Sequence, residues 1–586
     1  MDKQEKLLAR LFKDTFIIFL LSAIAATLGN IIDGMITGNF LGTEAIAAFG
    51  LTVPYQKFTA IFPQVVALGM QILCSKSLGA GNLQECNKIF SLALTTTLSV
   101  AVLMTSGTWL FDNEIADSLG ATEDHGLIRT EAIDYLCAYS LSFPAIALVV
   151  TLTPIMQLDS DRRRAVVAVA AMSVCNVAGD LLNIFVLDGG LFGIGIATAV
   201  SYWLSAGVLI LHFFKPEASF AYTHNFDIDF FGKMMLNGSP VFIGRILSTL
   251  RVAFLIRLAL TLAAGSGIAA YTIVTNFAGI LETIPKALGS SAQIIGSILV
   301  GEQDKHSVRR MMSFALKFAL AITLPLSALL PLTAPIIAEL YTENDPRTFQ
   351  LTIDGIYLFA LSLPLWSMGY IFQLFYQSYG RFKLVNVLAA ADNFFLFVPT
   401  AYLLSERFGI AGLWLTFPIN SLEFVTLIFG ITCYFHGRIT FKLEDYLLLP
   451  KDFDVPEDKQ LDITVTSKDE VLDLSERTQT FCESHGIDTR RSMFAGVCIE
   501  EMAGNIVDYG FGDGKKHFVD IRVIVNGDRI IIRIRDDCRP FDPKKQVELL
   551  NPGDPASHIG IRLVRKMATN FEYVNVLKLN NLIIKL

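Results

Sequence analysis

The chain has 586 residues, of which 53% are hydrophobic and 17% charged, with a mean hydropathy of +0.50. Soluble proteins are about 25% charged, so the composition excludes a purely soluble globular protein. A formal net charge of −8 gives no basic footprint, and no nucleic-acid partner is expected.

The opening MDKQEKLLARLFKD is a charged, amphipathic lead-in. No small-residue cleavage site follows a short apolar core, so a removable signal peptide is not expected. Twelve apolar segments long enough to span a bilayer follow, at about 15–36, 45–75, 88–110, 131–158, 163–186, 191–214, 236–263, 268–300, 311–340, 350–378, 384–404 and 409–435. Lys3, Lys6, Arg10 and Lys13 precede the first, Arg162, Arg163 and Arg164 sit between the fourth and fifth, and Arg438 and Lys442 follow the last. These share one face, whereas the opposite loops hold Arg129, Arg347 and Arg407. Positive charge gathers on the cytoplasmic side. The expectation is a multi-pass protein of the cell membrane with both termini cytoplasmic. The eight cysteines are scattered without a CxxC pair and read as small core residues in a reduced compartment.

The stretch TLGNIIDGMITGNFLGTEAIAAFGLTVPYQ places one carboxylate, Asp33, in what otherwise reads as a membrane-spanning helix. A charge near the bilayer centre costs about 2.5–3.5 kcal/mol on insertion scales, so it is expected to face a cavity. The alternative is a solvated position at the outer end of the span. In the fifth span, CNVAGDLLNIF places Asn176 and Asp180 four residues apart, on one helical face. The sixth, GIGIATAVSYW, adds the Thr198 hydroxyl. Two carboxylates, an amide and a hydroxyl are hard oxygen ligands, suited to Na⁺ or to a shared proton. The same groups also serve as hydrogen-bonding glue between helices.

The membrane region repeats itself at an offset of 222 residues. Pro63 matches Pro285, Gln71 matches Gln293, Ser75 matches Ser297 and Gly79 matches Gly301. Six spans per repeat make the halves enter the membrane in the same direction, a parallel repeat about an axis along the membrane normal. Prolines within spans, such as Pro54, Pro144, Pro240 and Pro364, favour bent helices and alternating access. The seventh span, GRILSTLRVAFLIRLAL, holds Arg245, Arg251 and Arg257, which do not share one face. Arg245 can snorkel to the interface, and the others can pair with Glu282 or Asp392. Structural pairing explains these arginines first, and a cavity for an anionic or zwitterionic substrate second.

LGNIIDGMITGNFLGTEAIAAFGL early, NVAGDLLNIFVLDGGLFGIGIATAVSYW later, and the paired QILCSKSLGAGN and QIIGSILVGEQD together resemble the multidrug and toxic compound extrusion (MATE) family. The resemblance implies that Asp33, Asn176, Asp180 and Thr198 form a cation site in the amino lobe. With GIGIATA aligned on GIAGLWL, the counterparts of Asn176 and Asp180 are Asp392 and Leu396, which confines that site to the first half.

After Cys433 the composition changes. HGRITFKLEDYLLLPKDFDVPEDK is a polar linker, followed by soluble sequence. LDITVT alternates as a strand, helices are expected near 468–484 and 489–508, strands near 517–525 and 529–535, a helix near 559–569, and two terminal strands. IEEMAGNIVDYGF, IRIRDDCRPFDP and HIGIRLVRKM in this order resemble the GHKL ATPase fold, especially the anti-sigma-factor serine kinases. The resemblance implies a Glu501 base, Asn505 as a Mg²⁺ ligand, Asp536 accepting from the adenine amino group, and Gly560 beneath the phosphates. Cys538 replaces a family glycine and Ser557-His558 replaces a glycine pair, changes that narrow the nucleotide space.

The fold expected is an all-α polytopic membrane protein of twelve helices in two parallel six-helix repeats, followed by a C-terminal α+β sandwich. The divisions are an amino lobe at 1–222, a carboxy lobe at 223–440, a linker at 441–456 and a GHKL-like domain at 457–586. The function expected is Na⁺- or H⁺-coupled export of a small molecule across the bilayer. ATP and Mg²⁺, or a cytoplasmic regulatory protein, would act on the tail. The alternatives are a tethered signalling kinase with a receptor-like membrane half, and a flippase for lipid-linked precursors.

Overall fold

The computed structural model describes residues 3–121, 126–159, 161–215, 218–224, 227–341, 345–450, 453, 455–512, 517–543, 559–576 and 579–586. Among the described residues, ten helices are long and apolar enough to cross a membrane, and the helices Leu127–Ser140 and Phe143–Leu158, bent by 45° at their junction, make an eleventh if counted as one span. Pro144 lies in the first turn of the second member, where its missing N–H costs nothing, so the chain restarts a helix there instead of continuing one. The remaining expected span lies within the helix Lys3–Ile36.

Single turns of π-helix interrupt the fifth and eleventh spans at Asn183–Leu187 and Ala391–Phe395. At the first, Asn183 replaces the backbone partners lost at the helix end. Its Nδ2 donates to Gly190 O at 2.9 Å, and its Oδ1 accepts from Gly189 N at 3.1 Å. Such interruptions displace the following side chains around the helix and often accompany functional sites.

The two repeats meet backbone to backbone through glycine. A Cβ on Gly79 would overlap the Ile298 carbonyl, and one on its repeat partner Gly301 would overlap the Lys76 carbonyl. Gly69 and Gly238 make equally close approaches to Met234 and Val65. A contact between equivalent glycines is what a two-fold relation between repeats requires. Around it, Phe12 and Phe16 of the first helix pack edge-on against Phe314 and Phe318 of the ninth span. The lobes are therefore closed on each other at the face that carries the tail.

The tail is a five-stranded antiparallel sheet in the order β1-β2-β3-β5-β4, formed by β1 Gln460–Val465, β2 Val519–Asn526, β3 Arg529–Asp536, β4 Asn570–Val576 and β5 Leu579–Lys585. Helices Lys468–Ser484, Thr489–Asn505 and Ile559–Met567 belong to the same domain. Ser467 and Asp488 cap the first two by accepting from Glu470 N and Arg491 N. Strand alternation sends Val519, Ile521, Val523, Ile532 and Ile534 into one core with the helices. Asp520, Arg522, Arg533, Arg535 and Asn581 point the other way. They are nevertheless buried, because the sheet's second face lies on the membrane region.

Candidate functional site

In the amino lobe, Gly179 and Ala197 bring the helices Arg162–Leu182 and Gly190–Ile210 together. A Cβ on the glycine would sit 2.8 Å from that of the alanine. Beside this crossing, Asn176 Nδ2 donates to Thr198 Oγ1 at 3.4 Å, and Thr198 donates to Ile194 O at 3.1 Å. Asp180 is one turn further on and completely buried. The acid, amide and hydroxyl expected from the sequence thus lie at one helix crossing. Asp33 falls in the helix Lys3–Ile36, and its side chain lies outside the described residues.

The carboxy lobe holds a different set. Asp392, in the π-turn, is buried and accepts from Asn420 Nδ2 at 3.0 Å. The Arg251 guanidinium lies 4.8 Å from the Phe397 ring centroid and within electrostatic reach of Asp392. Glu282 pairs with Lys286 at 2.7 Å, not with an arginine of the seventh span. Arg257 is exposed, and Arg245 donates to Gln64 of the amino lobe at 3.3 Å. Sequence reasoning missed Lys286, Asn420 and Glu423, the last of which accepts from Thr400 Oγ1 at 2.9 Å. Their signal was present, as single polar residues in apolar spans.

In the tail, Asp536 ends β3 on the helix-covered side. Its Oδ1 accepts from Asn580 Nδ2 at 2.7 Å and Cys538 N at 2.9 Å, and burial pushes its carboxyl up to about 6. Glu501 and Gly560 are in direct contact, since a Cβ on Gly560 would overlap the Glu501 carboxylate. A carboxylate against the first turn of the helix Ile559–Met567 is favoured by the helix dipole. Asn505 closes the facing helix. The Cys538 side chain fills space against Gly510, whose Cβ would lie 2.8 Å from Sγ. Ser557 and His558 lie outside the described residues. The neighbouring Asp537 accepts from His517 Nδ1 at 3.0 Å and Phe518 N at 3.3 Å, and pairs with Arg10 of the membrane region at 3.4 Å.

Two stretches, residues 19–182 and 240–403, match the MatE family model, one in each repeat. The chain belongs to the MatE family. It is a multi-pass, multidrug-type transporter, and residues 466–585 match the histidine kinase-like ATPase domain. A FAD transporter of Shewanella oneidensis is 24% identical over 67% of this chain and 87% of its own length. A probable multidrug resistance protein NorM of Oceanobacillus iheyensis is 22% identical over 69% and 92%. In fold, a multidrug resistance MATE family transporter in an outward-facing conformation superposes with a TM-score of 0.67 at 20% identity, covering 73% of this chain and 96% of that one. A MOP superfamily transporter from Pyrococcus furiosus, described as having a binding pocket of reverse polarity, gives 0.66 at 20% identity over 73% and 96%.

Proposed function

We propose that this MATE transporter is a secondary active exporter of organic solutes, driven by inward flow of Na⁺ or H⁺ through Asp33, Asn176, Asp180 and Thr198. The observation that supports this is the crossing of the fifth and sixth spans, where Asn176 and Thr198 share a hydrogen bond beside the buried Asp180. A cation entering there neutralises a charge that is costly to leave in an apolar bundle. Binding shifts the balance between states open to either side by its difference in affinity for them. Charge asymmetry supports a cytoplasmic location for the tail-bearing face, and for both termini.

The tail is proposed as a regulator responding to nucleotide or to a cytoplasmic protein. Its residues fit Mg²⁺-ATP. Asp536 offers a buried acceptor for the adenine amino group, Gly560 opens a helix whose start the Glu501 carboxylate occupies until phosphate displaces it, and Asn505, at the end of Thr489–Asn505, would ligate the metal. When bound, the nucleotide would supply phosphate charge and Mg²⁺. The chain's own part is to hold Asp536 as acceptor and to clear the Glu501 carboxylate from Gly560. The sequence contains no GxxxxGK[ST] phosphate loop, so ATP is proposed to regulate transport and not to power it.

A second reading concerns the substrate. Arg251, stacked on Phe397, together with Arg245 and Arg257, favours an organic anion, the class to which the cargo of the Shewanella relative belongs. Proteoliposome flux separates the readings. Imposed Na⁺ and pH gradients would be compared for a cationic dye and for an organic anion, with and without ATP. Gradient-driven export that is lost in both Asp33→Asn and Asp180→Asn and does not require ATP is expected. Export that survives both substitutions overturns the coupling site.

A further inference from the structure

The outer face of the tail's sheet carries a dense set of charges in register. Across the strands, Asp462, Arg522, Arg533 and Ile583 form one row, and Thr464, Asp520, Arg535 and Asn581 form the next. On a free domain such a face would be solvated. Here it is sealed against the loop between the eighth and ninth spans. Arg533 pairs with Glu302 at 2.8 Å and with Asp304 at 3.2 Å, and Arg535 pairs with Glu302 as well. Arg522 donates to Gln303 O at 3.4 Å, and Asn581 donates to Glu302 Oε1 at 3.1 Å. Glu302 and Asp304 side chains are 2% and 1% exposed. Buried carboxylates of this kind hold only with their partners in place. Asp304 also caps the ninth span by accepting from Ser307 N at 2.9 Å, so the ion pairs act on the end of a membrane helix.

The same face touches the other lobe. In the 222-residue repeat the turn Gly301–Asp304 corresponds to Gly79–Asn82. A Cβ on Gly81 would lie 2.8 Å from Ile583 Cδ1, so β5 rests on that turn. Arg10 of the first helix reaches Asp537, and Leu579 and Val574 of the tail share one apolar cluster with Leu7, Leu8, Leu11 and Leu299. A void of about 20 Å³ lies where Leu8, Leu11, Leu299 and Leu579 meet Glu302, Arg535 and Asn581, so the apolar and charged parts of the contact adjoin. Between the two turns, Gly79 and Gly301 bring the lobes together.

We propose that the outer face of the tail's sheet is a docking surface for the two repeat-related turns, Gly79–Asn82 and Gly301–Asp304, and that docking locks the lobes together at this face. A hydrogen-bonded sheet does not stretch, so the lobes cannot part here while both turns stay seated. Opening on this side requires the sheet to release at least one turn. The lock rests on the reading of the tail as a regulator, but it needs no bound nucleotide. A tail that binds none leaves the lock intact and refutes only the nucleotide.

The test is hydrogen exchange of the full chain in lipid nanodiscs without nucleotide, comparing the wild type with Arg533→Glu/Arg535→Glu. Exchange at 301–304 and at 79–82 is expected to rise together, on the order of 100-fold, although the substitutions touch only the first turn. Amides of Ile532 and Ile534 report whether the tail stays folded. If the double variant melts it, Asn581→Asp, which sets a second carboxylate against Glu302, decides the matter with a smaller rise at both turns. A rise confined to 301–304 overturns the lock, as does no change at either turn.

Discussion

Asp536 and Asp304 are both buried, and their surroundings move them in opposite directions. Asp536, at the helix-covered end of the sheet, has an amide and a backbone N–H as hydrogen-bond partners, and burial raises its carboxyl to about 6. Asp304, against the outer face, is held well below the usual carboxylate range by Arg533 and Arg522, which outweigh its own burial. A carboxylate among neutral groups can change its charge near physiological conditions, whereas one fixed by guanidinium groups cannot. The membrane lobes differ in the partners of their acids as well. The amino-lobe set is an acid, an amide and a hydroxyl, while the carboxy-lobe acids Glu282 and Asp392 have Lys286 and Arg251 beside them.

The sharpest way to break this contrast is to neutralise one acid of each kind. Asp180→Asn is expected to reduce gradient-driven export by about 100-fold or more. Asp392→Asn keeps an acceptor for Asn420 and should stay within about threefold of wild type. Equal losses in proteoliposome flux would show that the lobes do not differ in this respect. Next in size is the pH response of the tail. Because the folded-state value of Asp536 lies above its unfolded value, its burial favours the folded tail most below about pH 4. That contribution is lost as pH rises to about 6. Binding of the adenine amino group needs the ionised form and runs the other way. Affinity for an adenine nucleotide, measured by calorimetry, should fall about tenfold for each pH unit below about 6, while the tail's melting temperature rises. Parallel changes in the two would refute Asp536 as the adenine acceptor.

Much of this arrangement was legible in the sequence. Hydropathy marked the spans, the 222-residue repeat paired Gly79 with Gly301, and alternation in VDIRVIVNGDRIIIRIRD marked β2 and β3 around the turn at Gly527. The MATE and histidine kinase-like assignments followed from motifs in order, and the family comparisons show both. What stayed hidden was mostly a matter of partners. The spacing of Arg533 and Arg535 shows that they share a face, but not that Glu302, some 230 positions earlier, covers it. Nor does a run of arginines in the seventh span reveal that Glu282 is already taken by Lys286. Local periodicity reports which way a side chain points, and only the tertiary fold supplies what it meets.

Whether Arg251 acts through Asp392 can be decided by a double-mutant cycle. Arg251→Ala alone removes the cation and the contact with Phe397 and is expected to cost about 1–2 kcal/mol of thermal stability. Adding Asp392→Asn should recover about half of that, because the carboxylate left uncompensated is then gone. Additive losses would mean that Arg251 acts through Phe397 and not through Asp392.

The smallest expected effect lies where the two kinds of surroundings meet. Asp462 sits 3.8 Å from Arg522 in the docking row. Burial pushes it up to about 7, helped by Asp304 and Asp520, while Arg533 and Arg522 pull the other way. Undocking exposes this face and returns Asp462 toward the ordinary carboxylate range, so docking takes up a proton between about pH 4 and 7. The contribution of Asp462 is therefore greatest at low pH, declines as pH rises to about 7, and is flat above. Asp304 does not oppose it in the upper part of this window, because its depressed value keeps it charged there. With the Asp462 side chain 32% exposed, screening limits the change in docked fraction to roughly threefold between pH 5.5 and 7.5. Energy transfer between a dye on the tail and an acceptor in the bilayer reads that fraction, and Asp462→Asn should flatten the curve. A curve that keeps its slope in the variant would place the titrating group elsewhere. A curve that rises with pH would mean that the arginines, not burial, govern Asp462.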